Sequence, residues 1–182
     1  QVAAVRFAAL AGAAASLAWA VAKARRPREM LGLEKFPPRR LCWLPLCLAL
    51  GAALAACYRC AAARPLMPAA LAWFALPAAA IGAGEELLYR GFVQGALRSW
   101  GALSASILAA AAHTAYKCSL FALPGTHPQA NLLALAVGTL TVGTLFGLMR
   151  RRLGSLLFPA AAHVAFDLVA YGELTPAPWW VW

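Results

Sequence analysis

Long apolar runs, broken only by short charged or Pro/Gly-rich joints, are the feature that most restricts the fold of this chain. A transmembrane helix needs roughly 20 apolar residues, and these runs leave room for about six such helices. The composition supports this interpretation, because 63% of the 182 residues are hydrophobic and only 12% are charged, against about 25% in soluble domains. The predicted spans are approximately 2–22, 41–58, 66–98, 101–118, 131–149 and 153–171.

These spans predict an all-α fold, a polytopic transmembrane helix bundle that forms a single integral membrane domain over residues 1–182. Lipid offers backbone amides no hydrogen-bond partner, so a span must be a helix or a strand of a closed barrel. The Ala/Leu runs lack the alternation of barrel strands. The third span is too long for one perpendicular crossing and contains Pro77, Gly82 and Gly84, so we expect it to be tilted, kinked or continued along the membrane interface.

Basic residues are concentrated in two short connections between the predicted spans. They are Lys23, Arg25, Arg26, Arg28, Lys35, Arg39 and Arg40 in the first connection, and Arg150, Arg151 and Arg152 in the second. This is the positive-inside pattern, which places both connections on the cytoplasmic side. The net charge of +10 therefore indicates topology and contact with the lipid bilayer, and not nucleic-acid binding.

Five acidic or histidine side chains lie inside the apolar spans: Glu85, Glu86, His113, His163 and Asp167. A charge at the centre of a membrane helix costs about 2.5–3.5 kcal/mol on insertion scales, so such groups are candidates for function. At a rise of 1.5 Å per residue, their distances from the ends of the spans place them in one layer near the middle of the membrane. The sequence therefore predicts an intramembrane polar site.

Helical spacing sorts these groups into partners. Glu86 and Arg90 stand at i and i+4 and can form an ion pair, whereas Glu85 is turned roughly 100° away and is free to face the histidines. The same i, i+4 spacing places Asp167 beside His163. Each pair also has a purely structural explanation, because a lone buried arginine is not tolerated and polar groups connect membrane helices. Their occurrence at one depth favours a functional site.

This set of side chains suits hydrolysis. Glu85 would take a proton from water as the general base, and His113 would hold the water or shuttle the proton. His163, oriented by Asp167, would donate to the oxyanion of a tetrahedral intermediate. These roles require no cofactor and no metal.

The segment Glu85-Glu86-Leu87-Leu88-Tyr89-Arg90-Gly91 resembles EExxxR, the first motif of the CAAX-protease and bacteriocin-processing (CPBP) family of intramembrane endopeptidases. His113 corresponds to the histidine of the second motif, FxxxH, and the run from His163 to Asp167 resembles the third, HxxxN. The resemblance covers residues 66–171, the expected catalytic core helices, and leaves residues 1–65 as two additional transmembrane helices. Two positions depart from the motifs: Ala109 stands where Phe is expected, and Asp167 stands where Asn is common.

The resemblance implies a glutamate-type endopeptidase in which Glu85 and His113 activate water, while His163 and Asp167 stabilise the oxyanion. The implied substrate is a membrane-tethered protein or peptide, either of the CAAX type or with a C-terminal sorting tail of the kind that small, myxosortase-like bacterial members process. The short Ala-rich chain is typical of a bacterial protein, so we expect it in the cytoplasmic membrane.

Two other hypotheses remain open at the level of sequence. Glu85, His113 and His163 could instead be three ligands of a zinc-dependent intramembrane peptidase, although no HExxH motif is present. The chain could also be a non-catalytic immunity or scaffold factor, or a proton-coupled transporter, although it lacks the internal repeat that many transporters show.

Overall fold

The computed structural model describes residues 15, 18, 19, 21–34, 37–122 and 131–174. Most of the first predicted span and the tryptophan-rich C-terminal tail lie outside the described residues. From Pro27 onward the described chain forms seven α-helices and no β-strand, which confirms the predicted all-α helical bundle.

The helices are α1 (Pro27–Leu31), α2 (Leu44–Ala61), α3 (Ala75–Glu85), α4 (Gln94–Ala96), α5 (Ala102–Ala122), α6 (Leu132–Leu153) and α7 (Leu157–Tyr171). A 3₁₀-helix, Pro38–Trp43, leads into α2, and another, Arg98–Trp100, precedes α5. A π-helix, Glu86–Val93, joins α3 to α4.

Among the described residues, two helical segments are long and apolar enough to cross a membrane, Pro38–Ala61 and Leu132–Leu153, and α7 is apolar but shorter. Large apolar side chains face outward on the bundle: Trp73, Leu76 and Leu133 are 68%, 78% and 74% exposed. Contiguous exposed apolar surface is uncommon on soluble monomers. An exterior of this kind is suited to lipid.

The structure differs from the sequence prediction in the third span, 66–98. The helix begins only at Ala75, and the preceding residues form turns held against the end of α7, where the amide of Ala72 donates to the carbonyl of Gly172 at 2.6 Å. The helical path is then continuous, and its middle, Glu86–Val93, is π-helical. A π segment inserts an extra residue into a helical turn and often marks a functional site.

A buried guanidinium explains why the residues before α3 turn back instead of extending the helix. Arg59 at the end of α2 is fully buried and donates to the carbonyls of Pro65 (2.5 Å) and Val169 (3.3 Å). Glu173 lies 3.0 Å from Arg59 and accepts a hydrogen bond from Arg64. These bonds tie the connection between α2 and α3 to the end of α7.

Small residues allow the closest helix pairs to form. The most extensive contacts join α5 to α6 and α2 to α7. A Cβ added to Gly51 in α2 would overlap the carbonyl of Ala162 in α7, and one added to Gly147 in α6 would lie 2.8 Å from the Cβ of Ser106 in α5. Close backbone approach gives membrane helices the van der Waals contact that holds them together.

The short helix α1 closes the basic end of the bundle. Arg150 donates to the carbonyl of Met30 at 2.5 Å, and the amide of Leu156 donates to the carbonyl of Gly32 at 2.9 Å. Gly32 has φ +70° and ends α1 in the left-handed conformation that glycine adopts without strain. A Cβ on Gly95 would overlap the carbonyl of Met30, so α1 lies directly against α4.

Candidate active site

The side chains predicted to be catalytic lie together where α3, α5 and α7 meet. Glu85 ends α3 and is 9% exposed, and His113 in the middle of α5 is 5% exposed. The Nε2 atoms of His113 and His163 lie 3.1 and 3.7 Å from the same oxygen, Oε2, of Glu85. One buried carboxylate oxygen therefore faces two imidazole rings.

Glu86 and Arg90 form the ion pair that their spacing predicts, with 2.9 Å between Oε1 and Nη1. Both side chains are almost completely buried. Arg90 Nη1 also lies 3.1 Å from Nδ1 of His113. Because a guanidinium can only donate, Nδ1 of His113 accepts. The proton of the neutral ring is therefore on Nε2, where it is donated to Glu85.

His163 makes its hydrogen bond to Glu86, while Asp167, the partner that the sequence suggested, lies within ion-pair distance without a hydrogen bond. Nδ1 of His163 lies 2.9 Å from Oε1 of Glu86, whereas Oδ1 of Asp167 is 3.9 Å from Nε2. The carboxylate of Glu86 accepts this bond, so Nδ1 carries a proton. Asp167 itself fills a space that Gly82 leaves open, because a Cβ on Gly82 would overlap its Oδ2. Glu86 thus joins Arg90 to His163 across the site.

Lys117 is a member of the site that the sequence analysis missed. Its Nζ lies 2.5 Å from Oε1 of Glu85. The sequence prediction ended the fourth span near residue 118 and placed this lysine at its outer boundary, but α5 continues to Ala122. A signal was nevertheless present, because Lys117 follows His113 at i+4 and therefore shares its helix face.

Aromatic rings enclose the histidines. Tyr89, in the π-helix, stacks on His113 with ring centroids 4.5 Å apart and an interplanar angle of 27°. Phe146 of α6 lies 6.0 Å from the ring of His163. Ala109, which stands where the resemblance expects Phe, is buried in the core. These neighbours exclude solvent and strengthen the electrostatic interactions inside the site.

The donor set fits hydrogen bonding better than metal binding. Among the described residues, no group of three or more His, Cys, Asp or Glu side chains is arranged to hold a metal ion. Glu85 and His113 are joined by a direct hydrogen bond of 3.1 Å. The basic side chains of Arg90 and Lys117 contact His113 and Glu85, respectively, and disfavour a divalent ion there.

Comparison with known proteins supports the same interpretation. Residues 66–169 match the family model described as Rce1-like, type II CAAX prenyl endopeptidase, and the match includes every residue of the site described above. No curated protein and no solved structure matches the chain. The matched segment is more than half of the 182 residues. The chain therefore belongs to the Rce1-like family of CPBP endopeptidases and is a membrane-embedded protease.

Proposed function

We propose that the chain is a glutamate-type intramembrane endopeptidase that hydrolyses a peptide bond in a membrane-associated protein or peptide. The observation that carries the proposal is the shared oxygen of Glu85, which lies 3.1 Å from Nε2 of His113 and 3.7 Å from Nε2 of His163. A buried carboxylate facing two imidazoles can take a proton from water and stabilise the charge that develops during hydrolysis.

In the proposed reaction, Glu85 accepts a proton from water as the water oxygen attacks the scissile carbonyl carbon. His113 donates from Nε2 to Glu85 and keeps the carboxylate in place. The tetrahedral intermediate then collapses: the C–N bond breaks, and Glu85 returns the proton to the leaving amine. This sequence makes Glu85 first a base and then an acid, and consumes one water per bond.

His163 is the proposed donor to the oxyanion. The anionic Glu86 at 2.9 Å from Nδ1 stabilises an imidazolium, whose Nε2–H is then free to donate. Asp167 lies 3.9 Å from the same Nε2 and adds a second negative charge nearby. Asp167 therefore supports the charged form of His163, while the hydrogen bond to the oxyanion comes from the imidazole.

The proposed substrates are protein tails at the membrane surface. The family description names prenylated CAAX proteins, and the sequence analysis adds anchored C-terminal sorting tails. We place the reaction in the cytoplasmic membrane of a bacterium, where the basic connections face the cytoplasm.

The test is cleavage by the purified protein in lipid nanodiscs. Two probes are used, an internally quenched farnesylated CAAX peptide and a membrane-anchored reporter with a C-terminal sorting tail. We expect Glu85→Gln and His113→Ala to lose activity by about 10²- to 10⁴-fold, the usual contribution of a general base, and the exposed carboxylate variant Glu34→Gln to retain it.

Chelation separates the proposal from its nearest alternative. We expect 1,10-phenanthroline to leave cleavage unchanged. Inhibition that zinc reverses would identify a metallopeptidase instead, and full activity of folded Glu85→Gln would remove the assigned base. Cleavage of neither probe by the wild type would exclude both proposed substrate classes and favour the non-catalytic alternative.

A further inference from the structure

We propose that Lys117 is a positioning residue whose ammonium group fixes the carboxylate of the general base; the inference rests on the role proposed for Glu85. Nζ of Lys117 lies 2.5 Å from Oε1 of Glu85, while Nε2 of His113 lies 3.1 Å from Oε2. Each oxygen of the base is therefore held by a different group, and both groups come from the same face of α5.

Two contacts restrict the carboxylate more than one contact does. The terminal torsion of a glutamate has a broad, two-fold energy profile, so a carboxylate held only by His113 could still rotate. With Lys117 on Oε1, the remaining oxygen stays directed at the two histidines. His113 and Lys117 stand at i and i+4 on one helix, so α5 supplies both contacts as one rigid unit.

The charged groups of the site support the pairing of Lys117 with Glu85 as an ion pair. Three carboxyl groups, those of Glu85, Glu86 and Asp167, meet two basic side chains, those of Arg90 and Lys117, among the described residues of the site. Arg90 forms its ion pair with Glu86, with 2.9 Å between Nη1 and Oε1. Lys117 is then the cation that balances Glu85, and breaking a buried pair leaves an uncompensated charge.

The contact is an ion pair and not a directed hydrogen bond. Oε1 of Glu85 is buried without a hydrogen bond of good geometry, although the ammonium is 2.5 Å away. The Lys117 side chain is 19% exposed, against 10% for Glu85, so it approaches from the more open side of the site. A flexible lysine in this position can hold the carboxylate while leaving access to it.

The first experiment measures cleavage kinetics of Lys117 variants with the probe that the wild type cleaves. We expect Lys117→Met to lower kcat by about 10- to 100-fold with little change in KM, because a misplacement of about 1 Å can cost about 10²-fold. Lys117→Arg should restore most of the loss, and methylammonium should rescue Lys117→Ala but not Glu85→Gln. The matched control is Lys23→Met, at an exposed lysine that is not part of the site.

The second experiment needs no substrate. Dicyclohexylcarbodiimide reacts with buried carboxylic acids rather than with carboxylates, and mass spectrometry locates the adduct. We expect Glu85 to be labelled several-fold faster in Lys117→Met than in the wild type, and Lys117→Arg to restore protection. Tryptophan fluorescence and size-exclusion chromatography establish that each variant is folded.

The outcomes separate this inference from the proposed function. An unchanged kcat or unchanged labelling of Glu85 in Lys117→Met would overturn the role of Lys117, while an inactive Glu85→Gln would leave the proposed function intact. Conversely, an active Glu85→Gln would overturn the proposed function, and labelling would still report on the ion pair. If Lys117→Met does not fold, Lys117→Arg and the methylammonium rescue of Lys117→Ala decide the question.

Discussion

Replacing Gly143 by alanine should displace the Arg90 side chain from its position in the site, because this glycine makes room for the Arg90 guanidinium. A Cβ at position 143 would lie 2.5 Å from Nη2 of Arg90 and 2.9 Å from the Cβ of Ala110. Carbon contacts are favourable at about 3.5–4.0 Å, so the guanidinium must move by about 1 Å and α5 and α6 must separate by about half as much.

The expected cost follows from overpacking, which typically destabilises by about 1–3 kcal/mol. Alanine also raises helix propensity by about 0.8–1.0 kcal/mol relative to glycine, and this gain must be removed from the comparison. Gly138→Ala does so, because it lies in the same helix and a Cβ there meets nothing within 4 Å. The difference between the two variants isolates the packing contribution.

The assay is reversible unfolding in mixed micelles, combined with cleavage kinetics. We expect Gly143→Ala to be about 1–3 kcal/mol less stable than Gly138→Ala, and to lose activity because a displaced Arg90 no longer supports His113. The double variant Gly143→Ala, Ala110→Gly should recover part of the stability, since it reopens the space between α5 and α6. Equal unfolding midpoints for the two single variants would refute the reasoning.

Two further predictions concern the other charged clusters. Glu86→Gln should destabilise the protein by about 3–5 kcal/mol, since it leaves Arg90 without its anion; a loss below about 1 kcal/mol in micelle unfolding would contradict the buried ion pair. At the end of α7, burial alone would raise the pKa of Glu173, but the hydrogen bonds from Arg59 and Arg64 outweigh it and hold that pKa below its ordinary value. A lowered folded-state pKa gives stability that is complete above the unfolded value of 4.5 and is lost as pH falls through the folded value. The difference in Tm between wild type and Glu173→Gln should therefore shrink on acidification, and a difference that widens would contradict the assignment.

Much of the site could be predicted from the sequence because buried charges are expensive. Glu85, His113 and His163 stand out in apolar helices, and their distances from the helix ends place them at one depth. The structure brings the three together around one carboxylate oxygen. The Glu86–Arg90 ion pair was predicted from the i, i+4 spacing of the two residues, since a buried arginine needs an anionic partner.

The hydrogen bond between His163 and Glu86 could not be predicted, because spacing arguments relate residues of one helix and these two residues are 77 positions apart. Glu86 contacts both Arg90 of its own segment and His163 of α7, while Asp167, the i+4 neighbour of His163, is farther from that ring.

By itself, the sequence determined the helical class, the membrane environment and most of the side chains that make up the candidate site, because lipid forces backbone hydrogen bonds to close within helices and makes each buried charge conspicuous. Only the tertiary structure decided where the third helix begins and which atoms meet. The start of that helix depends on Arg59, which bonds to carbonyls distant in the chain, and the place of Lys117 depends on how α5 lies against α3. Such contacts between distant segments leave no periodic signal in a single sequence.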